Sequence, residues 1–315
     1  MVVNLPKLRI AFHNVNFSSS TGPNVFCTRL AKQFFLQDHI LMTPGEKCDI
    51  DFVNIVPSAT CRGKKTIQRL DGIWTRGIQD IALNAPILQQ YTTADHVIWQ
   101  SEYDKKLITK FWHDRSGSVV HNGCQINHQL DTNLMSKIRD LAEVIFCASA
   151  SWHPQKRLEA NIEAMRSYAK RTHKTCCLIV LGHVSKQISG NDIYYVSHVE
   201  EKIYFSIYAA SDAFLHLAWR DHCPNVVIEA LSCGTPVICA SSGGTSELLV
   251  QNAGVVIDDE QDSTINDLVF DFDKPPMIKI PKFELPNRNS FDTTKYMIEN
   301  VAKTYESIML GLLDA

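Results

Sequence analysis

The chain has 315 residues, of which 45% are hydrophobic and 21% charged, and its formal net charge is −3 at pH 7. This length suits two domains of about 150 residues each, and the composition is that of an ordinary globular protein. The small negative charge excludes a global basic field for nucleic acid or anionic lipid, and no apolar stretch approaches the roughly 20 residues of a membrane span.

The first half of the chain alternates strand and helix patterns. Strands are predicted at 8–12, 51–55, 65–70, 97–99 and 118–120. Helices are predicted at about 24–37, 80–91 and 101–112, the last of them capped by Ser101. This alternation is typical of a parallel sheet with helices on both faces.

The second half repeats the pattern. Strands are predicted at 144–148, 177–181, 194–196 and 213–216, and helices at 158–171 and 201–209. The proline-rich stretch 273–290 cannot be a regular helix, and 291–313 is predicted to be a long amphipathic helix. The sequence therefore predicts two α/β domains, 1–140 and 141–290, followed by a helical segment at 291–315.

The ten cysteines form no CxxC pair, and several lie in apolar runs. They are interpreted as buried thiols of a reducing compartment. The opening residues, MVVNLPKLRIAF, have no long apolar core, so no signal peptide is predicted. The twelve histidines show no HxH or HExxH spacing, so no metal site is predicted. Together these patterns predict a cytoplasmic protein.

The segment 221–248 is the most informative part of the chain. Its residues predict a helix at 225–233, a buried strand at 237–240, a glycine loop at Gly243 and Gly244, and then a second helix. A glycine loop at the carboxyl end of a strand lies where open α/β sheets bind their ligands.

This segment contains two acids: Asp221 precedes the first helix, and Glu229 lies in its second turn. The N–H groups of Asn225, Val226 and Val227 point out of the helix start and favour a diphosphate. Glu229 can accept hydrogen bonds from ribose hydroxyls, and Asp221 can reach the hydroxyls of a sugar. The alternative is a Rossmann-like unit with a surface glutamate and a capping aspartate.

The same segment resembles the C-terminal signature of the retaining glycosyltransferases of family 4, the glycogen-synthase-like group 1 enzymes of GT-B fold. The matching residues are Pro224, Asn225, Glu229, Ala230, Gly234, Pro236, Val237, Gly243, Gly244 and Glu247. Asp221 departs from the family pattern, which has a longer glutamate there. The resemblance implies two Rossmann-like doubly wound domains facing a cleft. Residues 1–140 would then bind the acceptor, 141–290 the nucleotide-sugar donor, and the helix in 291–315 would cross back to the first domain.

The stretch 149–165 resembles the family's donor-phosphate segment. Lys156 matches the family lysine, while serine and alanine at 149–151 occupy the place of its arginine. Arg157 and His153 are the candidates to replace that missing cation. A solvated lysine between a strand and a helix is the alternative for Lys156.

Two further segments resemble parts of the donor site. The loop 13–24 resembles the family's first glycine loop, of which Gly22 remains, although an ordinary helix cap explains it equally well. The residues before the helix at 201–209 correspond to a segment that contacts the nucleotide base through main-chain groups. The resemblance implies that role for His198 and Val199.

The segments 69–77 and 94–103 resemble parts of a bacterial and viral branch of this family. Arg69, Asp71 and Arg76 lie around a strand end, where sites form in open α/β sheets. Asp71 is the predicted contact to the acceptor or the donor sugar, and a turn-forming aspartate is the alternative.

The resemblance implies a retaining hexosyl- or pentosyltransferase, with Asp221, Lys156 and Asp71 as the predicted catalytic residues. Its donor is predicted to be a UDP- or GDP-sugar, with no further cofactor, no metal ion and no protein nucleophile. The acceptor is a hydroxyl of a glycan, a lipid-linked sugar or a small molecule, and modified DNA stays open. The alternatives are a GT-B phosphorylase or epimerase, a non-catalytic nucleotide-sugar-binding protein, and a glycosyltransferase of modified DNA bases, which requires a basic N-terminal face.

Overall fold

The structure is a computed structural model, and it describes residues 6–75, 81–126, 129–259, 270–288 and 291–315. The chain divides into two compact units. One unit comprises Met1–Gln125 and Thr294–Ala315, and the other comprises Ile126–Thr293. Arg76, which the sequence placed near a site, lies outside the described residues.

The first unit contains a six-stranded parallel sheet in the order β2-β1-β3-β4-β5-β6. Its strands are β1 (Arg9–His13), β2 (Ile40–Met42), β3 (Cys48–Asn54), β4 (Gly63–Leu70), β5 (His96–Trp99) and β6 (Gly117–Val119). Before residue 126 its helices are α1 (Gly22–Leu36), α2 (Asn84–Thr93) and α3 (Glu102–Phe111). The Ser101 hydroxyl accepts a hydrogen bond from the Asp104 N–H at 3.1 Å, which confirms the predicted cap of α3.

The second unit contains another six-stranded parallel sheet, in the order β12-β11-β10-β7-β8-β9. Its strands are β7 (Val144–Ser149), β8 (Cys176–Leu181), β9 (Ile193–Val196), β10 (Ala213–His216), β11 (Val237–Ala240) and β12 (Gly254–Ile257). Its helices are α4 (Thr132–Arg139), α5 (Leu158–Thr172), α6 (Glu201–Ala210) and α7 (Asn225–Ser232). The predicted second helix near Thr245 is a single 3₁₀ turn, Thr245–Leu248.

The order of this second sheet contains a topological switch point. From β7 the chain moves outward through β8 and β9, and it then returns to β7's other side with β10. Successive crossovers on opposite sides leave a crevice between the carboxyl ends of β7 and β10. This crevice is where an open doubly wound sheet binds its ligand.

The boundary between the units falls between Gln125 and Ile126. Helix α4, which the sequence analysis did not predict, packs on α6 of the second unit. The Asp131 N–H donates to the Ser206 hydroxyl at 2.8 Å, and Arg139 pairs with Asp212 at 2.7 Å. These contacts place residues 126–140 in the second unit.

The last helix, α8 (Ile298–Asp314), belongs to the first unit, as the resembled fold implied. It begins at Ile298 rather than at 291, after a short 3₁₀ turn, Thr294–Tyr296. Its apolar face shares one core with β1 and α1, including Tyr305 and Met309. At the middle of this helix, Glu306 Oε1 lies 3.1 Å from the buried His39 Nε2.

Two further findings concern the cysteines and the length of the helices. All ten cysteines are free thiols. In the part of the chain that the structure describes, no helix combines the length and the apolar character needed to cross a membrane.

Candidate active site

The loops after β7 and β10 bring two charged residues together at the switch point. Lys156 follows β7 and Asp221 follows β10, 65 residues further along the chain. Because these strands are neighbours and parallel, their following loops meet at the same edge of the sheet. Lys156 Nζ lies 2.5 Å from Asp221 Oδ2, and the two side chains are only 18% and 15% exposed. The site therefore contains a largely enclosed ion pair.

A third residue, His216, completes this pair. His216 is the last residue of β10, and its Nε2 lies 2.9 Å from the same Asp221 Oδ2. The other carboxylate oxygen accepts the N–H of His222 at 3.1 Å. His216 was not predicted from the sequence. The signal that points to it is a polar residue at the end of an otherwise apolar strand, five residues before the acid.

The environment determines the charge of each partner. Burial opposes the ionised form of Asp221, but the charge of Lys156 and the hydrogen bond from His216 outweigh it and hold the Asp221 pKa well below its usual value. Burial also lowers the pKa of His216, and this effect exceeds the opposing influence of Asp221. His216 is therefore a neutral imidazole at pH 7, which donates its Nε2–H to an ionised carboxylate.

The glycine loop after β11 lies directly against the backbone of Asp221. The Gly244 N–H donates to the Asp221 carbonyl at 2.7 Å. Gly243 has a φ of 86°, and a Cβ added to it would lie 2.5 Å from that same carbonyl oxygen. Only glycine permits this approach without displacement. The structure thus brings together Asp221, Lys156, Gly243 and Gly244.

Helix α7 begins at Asn225, so Pro224 is its cap residue rather than its first helical residue. The Val227 N–H donates to the Pro224 carbonyl at 3.1 Å. The expectation that this N–H points to a ligand was therefore wrong, because the first helical turn already uses it. Val226 keeps an N–H that has no partner among the described residues, and Glu229 is half-buried in the second turn.

Arg157 is committed to a buried ion pair. Its Nη1 lies 2.7 Å from Asp259 Oδ2, and the side chains are 4% and 1% exposed. Ser242 donates its hydroxyl to the same oxygen at 2.9 Å. These contacts tie the start of α5 to the loops after β11 and β12. The contact between Arg157 and a phosphate stays a prediction.

The residues predicted to contact the base lie further along the sheet. His198 and Val199 follow β9, the edge strand two positions from β7. His198 is exposed and Val199 is half-buried. Neighbouring strands are about 4.8 Å apart, so β9 and β7 are about 10 Å apart. An elongated nucleotide can span that distance, and the base contact stays a prediction.

Gly22 and Asp71 lie in the first unit. Gly22 is exposed at the start of α1, and Asp71 is half-buried directly after β4. Beside it, the buried Arg69 guanidinium donates to Gln100 Oε1 at 3.1 Å and to Asn122 Oδ1 at 2.7 Å. These bonds organise the carboxyl edge of the sheet. The roles of Gly22 and Asp71 toward a sugar stay predictions.

One group of metal-ligand types occurs within the described residues of the first unit. His13, Asp51 and Cys61 offer ligand atoms that all lie within 4.8 Å of one another. His13 Nε2 is only 2.8 Å from Asp51 Oδ1, whereas two ligands of a tetrahedral zinc ion are about 3.3 Å apart. This distance is that of a hydrogen bond, and the Gly63 N–H occupies the other Asp51 oxygen at 2.5 Å.

Comparison with known proteins places this geometry in context. Residues 135–272 match the family described as Glycosyl transferases group 1. No curated protein matches the sequence.

Solved structures resemble the whole chain. A glycosyltransferase from Rickettsia africae ESF-5 has a TM-score of 0.64 and 12% identity, over 98% of this chain and 99% of its own. AviGT4, a glycosyltransferase involved in avilamycin A biosynthesis, has a TM-score of 0.62 and 14% identity, over 98% of each chain. Anabaena Alr3699/HepE, in complex with UDP-glucose, has a TM-score of 0.59 and 14% identity, over 98% and 97%.

The solved structures agree with the two parallel sheets of this chain. The chain has the α/β GT-B fold of two Rossmann-like domains, and its residues 135–272 match the group 1 glycosyl transferases.

Proposed function

We propose that this chain is a retaining glycosyltransferase that moves a sugar from a nucleoside-diphosphate sugar to an acceptor hydroxyl. The observation that carries the proposal is the enclosed pair of Lys156 and Asp221 at the switch point of the second sheet. One cation and one acid at this place suit the two adjacent parts of a nucleotide sugar that the transfer separates, its diphosphate and its sugar. The pair lies inside the stretch that matches the glycosyl transferases.

Each part of the donor has a proposed partner. Lys156 and the main-chain N–H groups of Asn225 and Val226 bind the diphosphate. Glu229 binds the ribose hydroxyls, and Asp221 binds a sugar hydroxyl. A UDP-sugar is proposed ahead of a GDP-sugar, because Anabaena HepE, which shares the fold, was solved with UDP-glucose.

The proposed step needs no nucleophile from the protein. The bond between sugar C1 and the diphosphate oxygen breaks, and its electron pair leaves with the diphosphate. The acceptor oxygen bonds to C1 on the same face, and its proton passes to the leaving phosphate oxygen. Lys156 stabilises the charge that develops on the leaving group, which is the largest task of the protein in this step.

A product assay tests the proposal. UDP-, GDP- and ADP-sugars are incubated with hydroxyl acceptors, including simple glycosides and hydroxymethylated DNA, and the anomeric configuration of the product is read by NMR. We expect transfer with retention, and a loss of about 100-fold or more in Lys156→Ala. Lys170→Ala, a change of an exposed lysine on α5, is the matched control and should behave as the parent does.

Two outcomes contradict the proposal in different ways. Tight binding of a nucleotide sugar without turnover of any acceptor would favour the non-catalytic binder. An inverted product would refute retention while leaving sugar transfer in place.

A further inference from the structure

We infer that His216 is a positioning residue, which keeps the Asp221 carboxylate directed at the donor sugar while Lys156 engages the diphosphate. This inference rests on the proposed function and deepens it. It assigns a role to a side chain that no motif in the sequence indicated.

Two hydrogen-bond donors share one oxygen of the Asp221 carboxylate. Asp221 Oδ2 accepts from Lys156 Nζ at 2.5 Å and from His216 Nε2 at 2.9 Å. The lysine ammonium is a mobile point charge with three donors on a flexible stem. A diphosphate carries more negative charge than one carboxylate. A bound nucleotide sugar therefore weakens the ion pair between Lys156 and Asp221.

A bound nucleotide sugar cannot draw His216 away from Asp221 as it does Lys156. The neutral imidazole has a single N–H donor, and its Nε2 is directed at Asp221. The ring is 4% exposed, belongs to strand β10, and stacks on Phe214 with 6.2 Å between ring centroids. Of the two groups that hold Asp221 Oδ2, the rigid one, His216, therefore remains when the nucleotide sugar binds.

The position of the Asp221 carboxylate is set by its backbone and by the hydrogen bonds to its side chain. The Asp221 backbone is held by the Gly244 N–H at 2.7 Å, so only the short side chain can adjust. An aspartate has two side-chain torsions, and their values are set by the hydrogen bonds from His216 to Oδ2 and from the His222 N–H to Oδ1. The Asp221 oxygen that faces Lys156 and His216 is the one that becomes available to a sugar hydroxyl when Lys156 turns to phosphate.

The side-chain hydrogen bond of His216 goes to Asp221, so its expected effect is indirect. The test compares His216→Leu, which removes the donor, with His216→Gln, whose amide nitrogen reaches about as far as imidazole Nε2. His96→Leu is the matched control. It removes a similar 3.0 Å hydrogen bond, to Ser118, from the amino end of β5 in the other unit.

The measurements are initial rates with UDP-glucose and calorimetric dissociation constants for UDP and for UDP-glucose. We expect His216→Leu to lower kcat by about 10- to 100-fold, as the loss of one hydrogen bond to a charged group does. Its UDP affinity should stay within about twofold of the parent's, because UDP lacks the sugar. His216→Gln should recover most of the rate, and His96→Leu should match the parent.

The outcomes separate this inference from the proposed function. A parent that binds no nucleotide in a panel of UDP, GDP, ADP and their sugars refutes the proposed function itself. Parent turnover with an unchanged His216→Leu variant, or equal losses in rate and UDP affinity, overturns only the positioning role. If His216→Leu fails to fold, His216→Asn takes its place, since its shorter amide cannot reach Asp221 and the same loss is expected.

Discussion

Asp221→Asn is the substitution that most directly tests the geometry of the site. It keeps the size of the side chain and an acceptor for His216, but it removes the charge that lies 2.5 Å from Lys156 Nζ. The amide nitrogen of asparagine would also face the ammonium group if it occupied the Oδ2 position. The variant therefore leaves a largely enclosed lysine without its anion.

The magnitude follows from the burial of the pair. Breaking a fully buried ion pair costs about 3–5 kcal/mol, and exposed pairs contribute about 0–1 kcal/mol. With the two side chains 18% and 15% exposed, we expect a loss of about 2–3 kcal/mol in the free energy of unfolding. Urea denaturation of parent and variant at pH 7 measures this loss.

The pH dependence of the loss has a definite sign. The folded pKa of Asp221 is held below 3.8, the value for an unperturbed aspartate. The charged form therefore stabilises the folded state fully above pH 3.8, and this contribution disappears as the pH falls below it. The stability difference between parent and variant should thus be constant from pH 7 to about 5 and shrink at lower pH.

A double-mutant cycle with Lys156→Met isolates the pair. The coupling free energy should be at least about 1.5 kcal/mol, because each single variant leaves one partner buried alone. A coupling near zero at pH 7, or a difference that stays constant down to pH 3, would refute the reasoning. In turnover, Asp221→Asn should lose far more rate than UDP affinity, because the acid contacts the sugar.

Three further predictions concern other parts of the site. Glu229→Ala should weaken UDP binding by about 1.5–3 kcal/mol in calorimetry without changing the fold, and unchanged affinity would remove its ribose role. Gly243→Ala should lower both the melting temperature and the turnover, because its Cβ would lie 2.5 Å from the Asp221 carbonyl and its φ is 86°. Alanine at Gly311, whose added Cβ meets no atom within 4 Å, is the control, and equal behaviour of the two variants would contradict the close approach. EDTA should leave initial rates unchanged, and a loss restored by Mn²⁺ or Mg²⁺ would overturn the metal-independent mechanism.

Much of the fold follows from local patterns in the sequence. Every predicted strand is present, because buried parallel strands are short apolar runs between turn signals. The start of α3 was also predictable, since a serine cap acts within four residues. Strands β2 and β12, of three and four residues, were not predicted. Their few residues pair with neighbouring strands that the local pattern does not identify.

Some residues of the candidate site could likewise be indicated from local patterns, and others could not. The sequence by itself indicated Asp221 and the glycine loop as candidates, and its resemblance to a family segment indicated Lys156, because such motifs are contiguous in the chain. It could not show that Lys156 and Asp221 form one ion pair, since 65 residues separate them. Tertiary structure alone also paired Arg157 with Asp259, across 102 residues. Such contacts depend on the order of strands in the sheet, which brings distant loops to one edge, and no local property of the chain specifies that order.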